Sequence, residues 1–259
     1  MNSNCPRARR RWYSRFRIDV LSLGLVAFAG FLASLTQGND RDRSEITAVA
    51  LMQRAHDGRA VWKKFPGFRA DIRVSVDGKQ VTGSLNVSSK GEIELSMPDD
   101  ESFAWVKVSL RSVVSHRMVD TDAIQGVAFA DDQVAHPLGR LLKSASESDH
   151  SQWRIQNDVM TEVHREHGKT RFIISVTDVV RTDEGKHLPK TFDVTTWDTA
   201  TGRIQSSRQV LNEWTRIGKF DLPTRLMAAI SKEDGTRRVE QIELSRHELL
   251  PTADVSAIR

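Results

Sequence analysis

Hydrophobic positions first recur at helical spacing and then switch to alternation. Ile46, Val49, Met52, His56 and Ala60 fall three or four residues apart, with Glu45 beside a Ser44 cap. That spacing predicts an amphipathic helix from Ser44 to about Lys64, closed by Phe65-Pro66-Gly67. Phe68, Ala70, Ile72, Val74 and Val76 then alternate with polar residues, as do Val81, Gly83, Leu85 and Val87, and Ile93, Leu95 and Met97 complete the series. With Asp77-Gly78 and Lys90-Gly91 as turns, this is a three-stranded antiparallel meander. Pro98-Asp-Asp-Glu101 reads as a helix start, and Phe103, Val106, Leu110, Val113 and Val114 mark one face of a helix over 102–118. Between 120 and 150 the pattern offers an apolar piece, Val127-Ala-Phe129, and a short helix around Pro137-Leu-Gly-Arg-Leu-Leu142.

Beyond Ser151 strands resume, the first running from Trp153 through Glu166. Turn glycines follow at Gly168, Gly185, Gly202, Gly218 and Gly235, with gaps of 17, 17, 16 and 17 residues. The intervening residues do not match, so this is the rhythm of long antiparallel strands and not a solenoid repeat. Strands of roughly a dozen residues must twist and coil. The expected fold is therefore α+β: a long-stranded, curved antiparallel sheet, an open half-barrel-like meander, wrapping two main helices at 45–64 and 102–118. Alternation on strands 170–178, 190–197, 204–214 and 224–230 nominates Phe172, Ile174, Val176, Phe192, Val194, Val210, Leu226 and Ile230 as an apolar ligand-binding face. Trp197 points the other way from Phe192 and Val194, which suggests a helix on one side of that strand and a cavity on the other.

The N-terminus changes the compartment. Arg7, Arg9, Arg10, Arg11, Arg15 and Arg17 precede an uncharged run, Val20 to Leu35, of 16 residues. This is at or below the length that spans a bilayer, so residues 1–38 read as a signal peptide or an N-terminal signal-anchor. Residues 39–259 then form a single exported domain in the periplasm or cell envelope, attached to the inner membrane through 20–35 if the segment is uncleaved. Of 38 bases and 34 acids, six bases and one acid lie in 1–38, leaving 32 against 33 downstream. A domain so balanced has no phosphate-neutralising surplus, and no nucleic-acid partner is expected. The one cysteine, Cys5, precedes the apolar run, so the exported part has neither a disulfide nor a thiolate nucleophile.

Candidate chemistry is sparse. Asp99, Asp100 and Glu101 could form a carboxylate site, but helix capping accounts for them. His164 and His167 lie three apart on a strand and so face opposite ways, which argues against a metal pair; no metal and no cofactor are expected. His116 near the end of a helix would meet the dipole as a cation. A metal- or carboxylate-dependent hydrolase would need His116, His136, His150 and His164 to converge. No serine-hydrolase, phosphate-loop or dinucleotide motif is present.

Leu51-Met-Gln-Arg-Ala-His-Asp57, Val61-Trp-Lys-Lys-Phe-Pro-Gly-Phe68, Ser112-Val-Val-Ser-His-Arg117, His136-Pro-Leu-Gly-Arg-Leu-Leu142, Leu188-Pro-Lys-Thr-Phe-Asp-Val-Thr-Thr-Trp-Asp198 and Phe220-Asp-Leu-Pro-Thr-Arg225 together resemble a bacterial family. Its members are exported or membrane-associated and known only as a domain of unknown function. The resemblance spans about Ser44 to Leu250 and brings no catalytic assignment. In architecture the pattern also looks like the half-barrels of periplasmic lipoprotein carriers. The expectation is a non-enzymatic envelope binding or carrier domain for a lipid or other apolar or acyl ligand. The alternatives are the hydrolase above and a purely structural or sensory domain.

Overall fold

The structure is a computed structural model that describes residues 46–119, 126–132, 135–146 and 148–251. The expected leader and the Ser44 cap lie outside these residues. Among the described residues twelve strands form one sheet. They are Gly67–Val76 (β1), Lys79–Ser88 (β2), Ile93–Ser96 (β3), Val127–Phe129 (β4), Arg140–Ser144 (β5), Gln152–Gln156 (β6), Val159–His167 (β7), Thr170–Arg181 (β8), His187–Asp198 (β9), Ile204–Ile217 (β10), Phe220–Lys232 (β11) and Arg237–Leu249 (β12). Their order across the sheet is β3-β2-β1-β12-β11-β10-β9-β8-β7-β6-β5-β4, every neighbouring pair antiparallel. The two edges are the shortest strands, of four and three residues, which leaves little unpaired backbone for a foreign strand to join. The fold is the expected α+β class: a long-stranded curved antiparallel sheet with two helices, Ala48–Asp57 (α1) and Trp105–Ser115 (α2).

Local chemistry moved several boundaries. Thr47 caps α1, its hydroxyl accepting from the Ala50 N–H at 3.1 Å. The helix stops at Gly58 instead of reaching Lys64, because the chain turns out to bridge β9, Ala60 N–H donating to the His187 carbonyl at 2.9 Å. The second helix divides into a 3₁₀ turn, Glu101–Phe103, and α2. The helix expected around 137–142 is in fact strand β5, paired with β4 and β6. Its Gly139 has φ +87°, and a Cβ there would lie 1.9 Å from the Ile155 carbonyl oxygen, so β5 can start against β6 only at glycine. The single strand expected from Trp153 to Glu166 is a hairpin. Asn157 and Asp158 turn it with φ of 50° and 62°, the left-handed pair that a tight hairpin requires. The five turn glycines all have positive φ, between 58° and 82°.

Register shifts in five of the strand pairs curve the sheet: around Asp178 between β8 and β9, at Glu213/Trp214 between β10 and β11, at Arg69/Asp71 between β1 and β12, at Ile204/Ser206 between β9 and β10, and at Arg154/Ile155 between β6 and β7. Two prolines sit beside these irregularities, Pro189 opposite Val179 and Pro223 opposite Trp214, where a missing N–H interrupts no regular ladder.

Both helices lie on one face. Register carries a continuous row from Phe129 through Leu142, Trp153, Val163, Ile174 and Val194 to Arg208 and Ile230. Along it α1 packs Leu51, Met52 and Ala55 against Leu142 and Ile155 at the β4–β6 end. At the other end α2 buries Val106, Leu110 and Val114 against Ile72, Val74, Leu85, Leu222 and Ile242. Each such leucine or valine contributes about 1.5–3 kcal/mol of apolar transfer. Two separate cores thus anchor the ends of a long sheet. Among the described residues no helix is long and apolar enough to cross a membrane.

Candidate functional site

Neither helix reaches fully across β8, β9 and β10. Ile174, Phe192, Val194 and Val210 there are only half-buried, whereas the apolar residues under the helices are buried. With Leu226 and, from α2, Trp105 and Val113, they surround a cavity of about 230 Å³. Five of the eight residues nominated by alternation therefore line one space: Ile174, Phe192, Val194, Val210 and Leu226. The other three do not. Phe172 pairs with Arg165 and Thr196 nearer the strand ends. Val176 lines a separate depression with Leu138, Val159 and Thr161. Ile230 is flanked across the strands by Arg208 and Arg238. Helix and cavity occupy the same side of the sheet, not opposite sides as expected, and Trp197 on the other side lies under Arg171, whose guanidinium is 5.1 Å from its ring.

One wall of the cavity is polar. Glu240, 5% exposed, lies 3.6 Å from Arg208 Nη2 and 3.1 Å from Arg238 Nη2. Arg208 also donates to Ser109 Oγ of α2 at 3.4 Å, and Arg238 to the Ser102 carbonyl at 3.3 Å. Burial pushes the Glu240 carboxyl up, and the two guanidinium groups oppose that shift. The Arg208 Nε makes no hydrogen bond among the described residues. Buried Asn212 completes this wall. Sequence reasoning passed over Arg208 and Asn212, although each stands two residues from Val210 and so shares its face. Apolar alternation marks the face but carries no signal for the polar residues on it.

The remaining candidates have structural explanations. Asp100 Oδ1 accepts from the Ser102 N–H at 2.8 Å, a cap on the 3₁₀ turn that also holds its carboxyl below the usual range. His116 follows α2 as its C-cap, and burial, with Arg117 and Arg59 nearby, lowers its pKa, which works against the cation expected at the helix dipole. His136 Nδ1 accepts from the Leu138 N–H. His150 and His164 share a shallow depression with Arg165 and Arg171, and His164 Nε2 lies 3.1 Å from Glu162 Oε2. His167 ends β7. Among the described residues no group of three or more His, Cys, Asp or Glu is placed to hold a metal ion.

The class is thus defined by an open, curved antiparallel sheet with two helices and a small amphipathic cavity on one face. Within it the chain belongs to the family described as "Protein of unknown function (DUF3386)", which matches residues 43–250. No curated protein matches it. Among solved structures it is similar to a LolA superfamily protein from Nitrosomonas europaea, at 10% identity over 80% of this chain and 94% of that one, with a TM-score of 0.28. A DUF1329 family protein from Desulfovibrio piger gives 10% identity, coverages of 80% and 92%, and a TM-score of 0.26. MucB in complex with MucA(peri) gives 10%, 78% and 98%, with a TM-score of 0.14.

Proposed function

We propose that this protein is a non-enzymatic binding or carrier module of the cell envelope that holds an apolar or acyl ligand between α2 and strands β8–β10. The supporting observation is the gap between the two cores, where apolar side chains remain half-buried around a cavity. Exposed apolar surface in a concavity has no folding rationale of its own, and covering it with a ligand stabilises both partners. At about 230 Å³ the space is smaller than the roughly 300–1,000 Å³ of pockets for drug-sized ligands, so it suits one acyl chain or a segment of one. The Arg208–Glu240 wall would meet the ligand's polar end. Export of residues 39–259, with 1–38 as signal peptide or anchor, is part of the same reading and is supported by the arginines before the apolar run Val20–Leu35.

Val194→Trp tests the reading. Lipid extracted from natively purified protein and measured by mass spectrometry should fall at least tenfold in the variant, with the unfolding midpoint nearly unchanged because the indole enters open space. If wild-type protein yields no extractable ligand and the variant loses about 1–3 kcal/mol of stability, as overpacking a filled core does, the carrier reading fails.

A further inference from the structure

A second concavity lies at the far end of the strands, walled by segment 58–64, the β8–β9 turn and the β10–β11 turn, with a volume of about 490 Å³. Its floor is apolar. Trp62 stacks on Phe65 with ring centroids 4.3 Å apart and fixes its indole by donating to the Asp221 carbonyl at 3.1 Å. Leu188 and Phe220 continue that floor, and Val119, 51% exposed, stands at the margin.

The rim is basic, and the acids on it are already engaged. Arg216 holds both Asp221, at 2.8 Å, and Glu184, and the Glu184 carboxyl is thereby lowered to about 2. Asp57 accepts from Gln53 at 2.9 Å, and its carbonyl takes the Lys186 ammonium at 2.7 Å. This leaves exposed Lys63, Lys64 and Lys219 without a carboxylate within 4.0 Å among the described residues. Lys64 has a φ of 53°, a left-handed backbone in which a lysine is uncommon.

Behind the floor sits a further cation. Arg117 is 3% exposed, donates to the Ala60 carbonyl at 2.9 Å and lies 5.5 Å from the Trp214 ring centroid. Its Nε makes no hydrogen bond, and no carboxylate pairs with it among the described residues. Asp221 favours its charge from beyond ion-pair distance, but that carboxylate is already held by Arg216, so a further anion would relieve the buried guanidinium. Three ammonium groups with no carboxylate partner among the described residues, that of Lys219 lying 5.4 Å from the Phe220 ring centroid, stand over an apolar floor with a buried positive charge behind it and make an amphiphilic receptor for negative charge.

We propose that this groove binds the phosphate-bearing headgroup of an anionic phospholipid, with Lys63, Lys64 and Lys219 on the phosphate and the glycerol and first acyl carbons over Trp62 and Val119. Lysine suits this role because its ammonium meets a phosphate as a mobile point charge and needs no fixed fork geometry. The site is separate from the concave cavity and does not depend on it.

The test titrates the full chain at low salt with dihexanoyl phosphatidylglycerol below its micelle concentration, followed by calorimetry. Parallel titrations use dihexanoyl phosphatidylcholine and inorganic phosphate. Each exposed lysine–phosphate ion pair is worth up to about fivefold at low salt, so K63Q/K64Q/K219Q should weaken phosphatidylglycerol binding by roughly ten- to a hundredfold. Phosphatidylcholine should bind more weakly to wild type, and Val194→Trp should leave the groove affinity unchanged. All three lysines are exposed, so circular dichroism of the variant should match wild type. Unchanged phosphatidylglycerol binding in the triple variant, or equal affinity for phosphatidylcholine, overturns the proposal. Inorganic phosphate binding as tightly as the lipid also overturns it, by making the groove a free-anion site.

Discussion

Acid should destabilise this protein through His187. The residue opens β9, donates its N–H to the Gly58 carbonyl at 2.9 Å and accepts the Ala60 N–H on its own carbonyl. Its side chain packs so closely that a Cβ on Gly58 would come within 2.9 Å of Cε1. It is 5% exposed, and Nδ1 makes no hydrogen bond among the described residues. Burial first, then Arg181, Arg117, Arg59 and Lys186, pushes the imidazole from 6.5 down to about 4. The folded state therefore refuses a proton that the unfolded chain accepts. Stability from this residue is fully present above pH 6.5 and is lost as pH falls toward 4. Linkage puts the loss between about pH 7.5 and 4.5 at about 2.5 kcal/mol. In His187→Leu the term vanishes, and because the imidazole has an unpartnered nitrogen, the substitution itself should change stability at about pH 7.5 by less than about 1 kcal/mol. Urea denaturation of both proteins at the two pH values isolates the effect, since all other titrations are shared. Wild type should lose about 2.5 kcal/mol more than the variant on acidification. A difference below about 0.5 kcal/mol, or a His187 proton titrating near 6.5 by NMR, would refute the reasoning.

Gly139→Ala should lower the melting temperature by about 10 °C, since its φ of +87° and the Ile155 carbonyl together forbid a Cβ and a loss of about 3 kcal/mol shifts a domain of this size by that much. A fall of less than about 2 °C would show that β5 can start elsewhere. Leu142→Ala, at a fully buried position of the smaller core, should cost about 2–5 kcal/mol and speed amide exchange in α1 while α2 keeps its protection. Equal loosening of both helices would mean that the two cores act as one.

Periodicity carried most of the sheet because its long strands are bounded by glycines that only a left-handed turn explains. It misled where chemistry of another kind made the turn: Asn157-Asp158 reverses the chain without glycine, so one hairpin read as one strand. It also misled at Leu138, Leu141 and Leu142, whose spacing mimics a helix although Gly139 and pairing to β6 make it a strand. Pairing of β1 with β12 left no local trace, because the partners are matched by surface and not by sequence distance. On four strands alternation points to the face on which the cavity opens, but which rows the helices would cover depended on where α1 and α2 dock. The lysine groove was invisible for the same reason. It assembles three turns that are adjacent only after the sheet has coiled.

The junction of β1 with β12 sets the order in which this molecule can come into being. Arg73 meets Glu243 across that ladder, 170 residues along the chain, so the larger core stays unfinished until the last strand arrives. The first hairpin then presents Ile72 and Val74 on an open edge until synthesis has passed β12. High contact order of this kind slows folding and keeps such edges available to neighbours. A chain cut before Arg237 would keep its turns and α1, yet lack the strand that joins its beginning to its end.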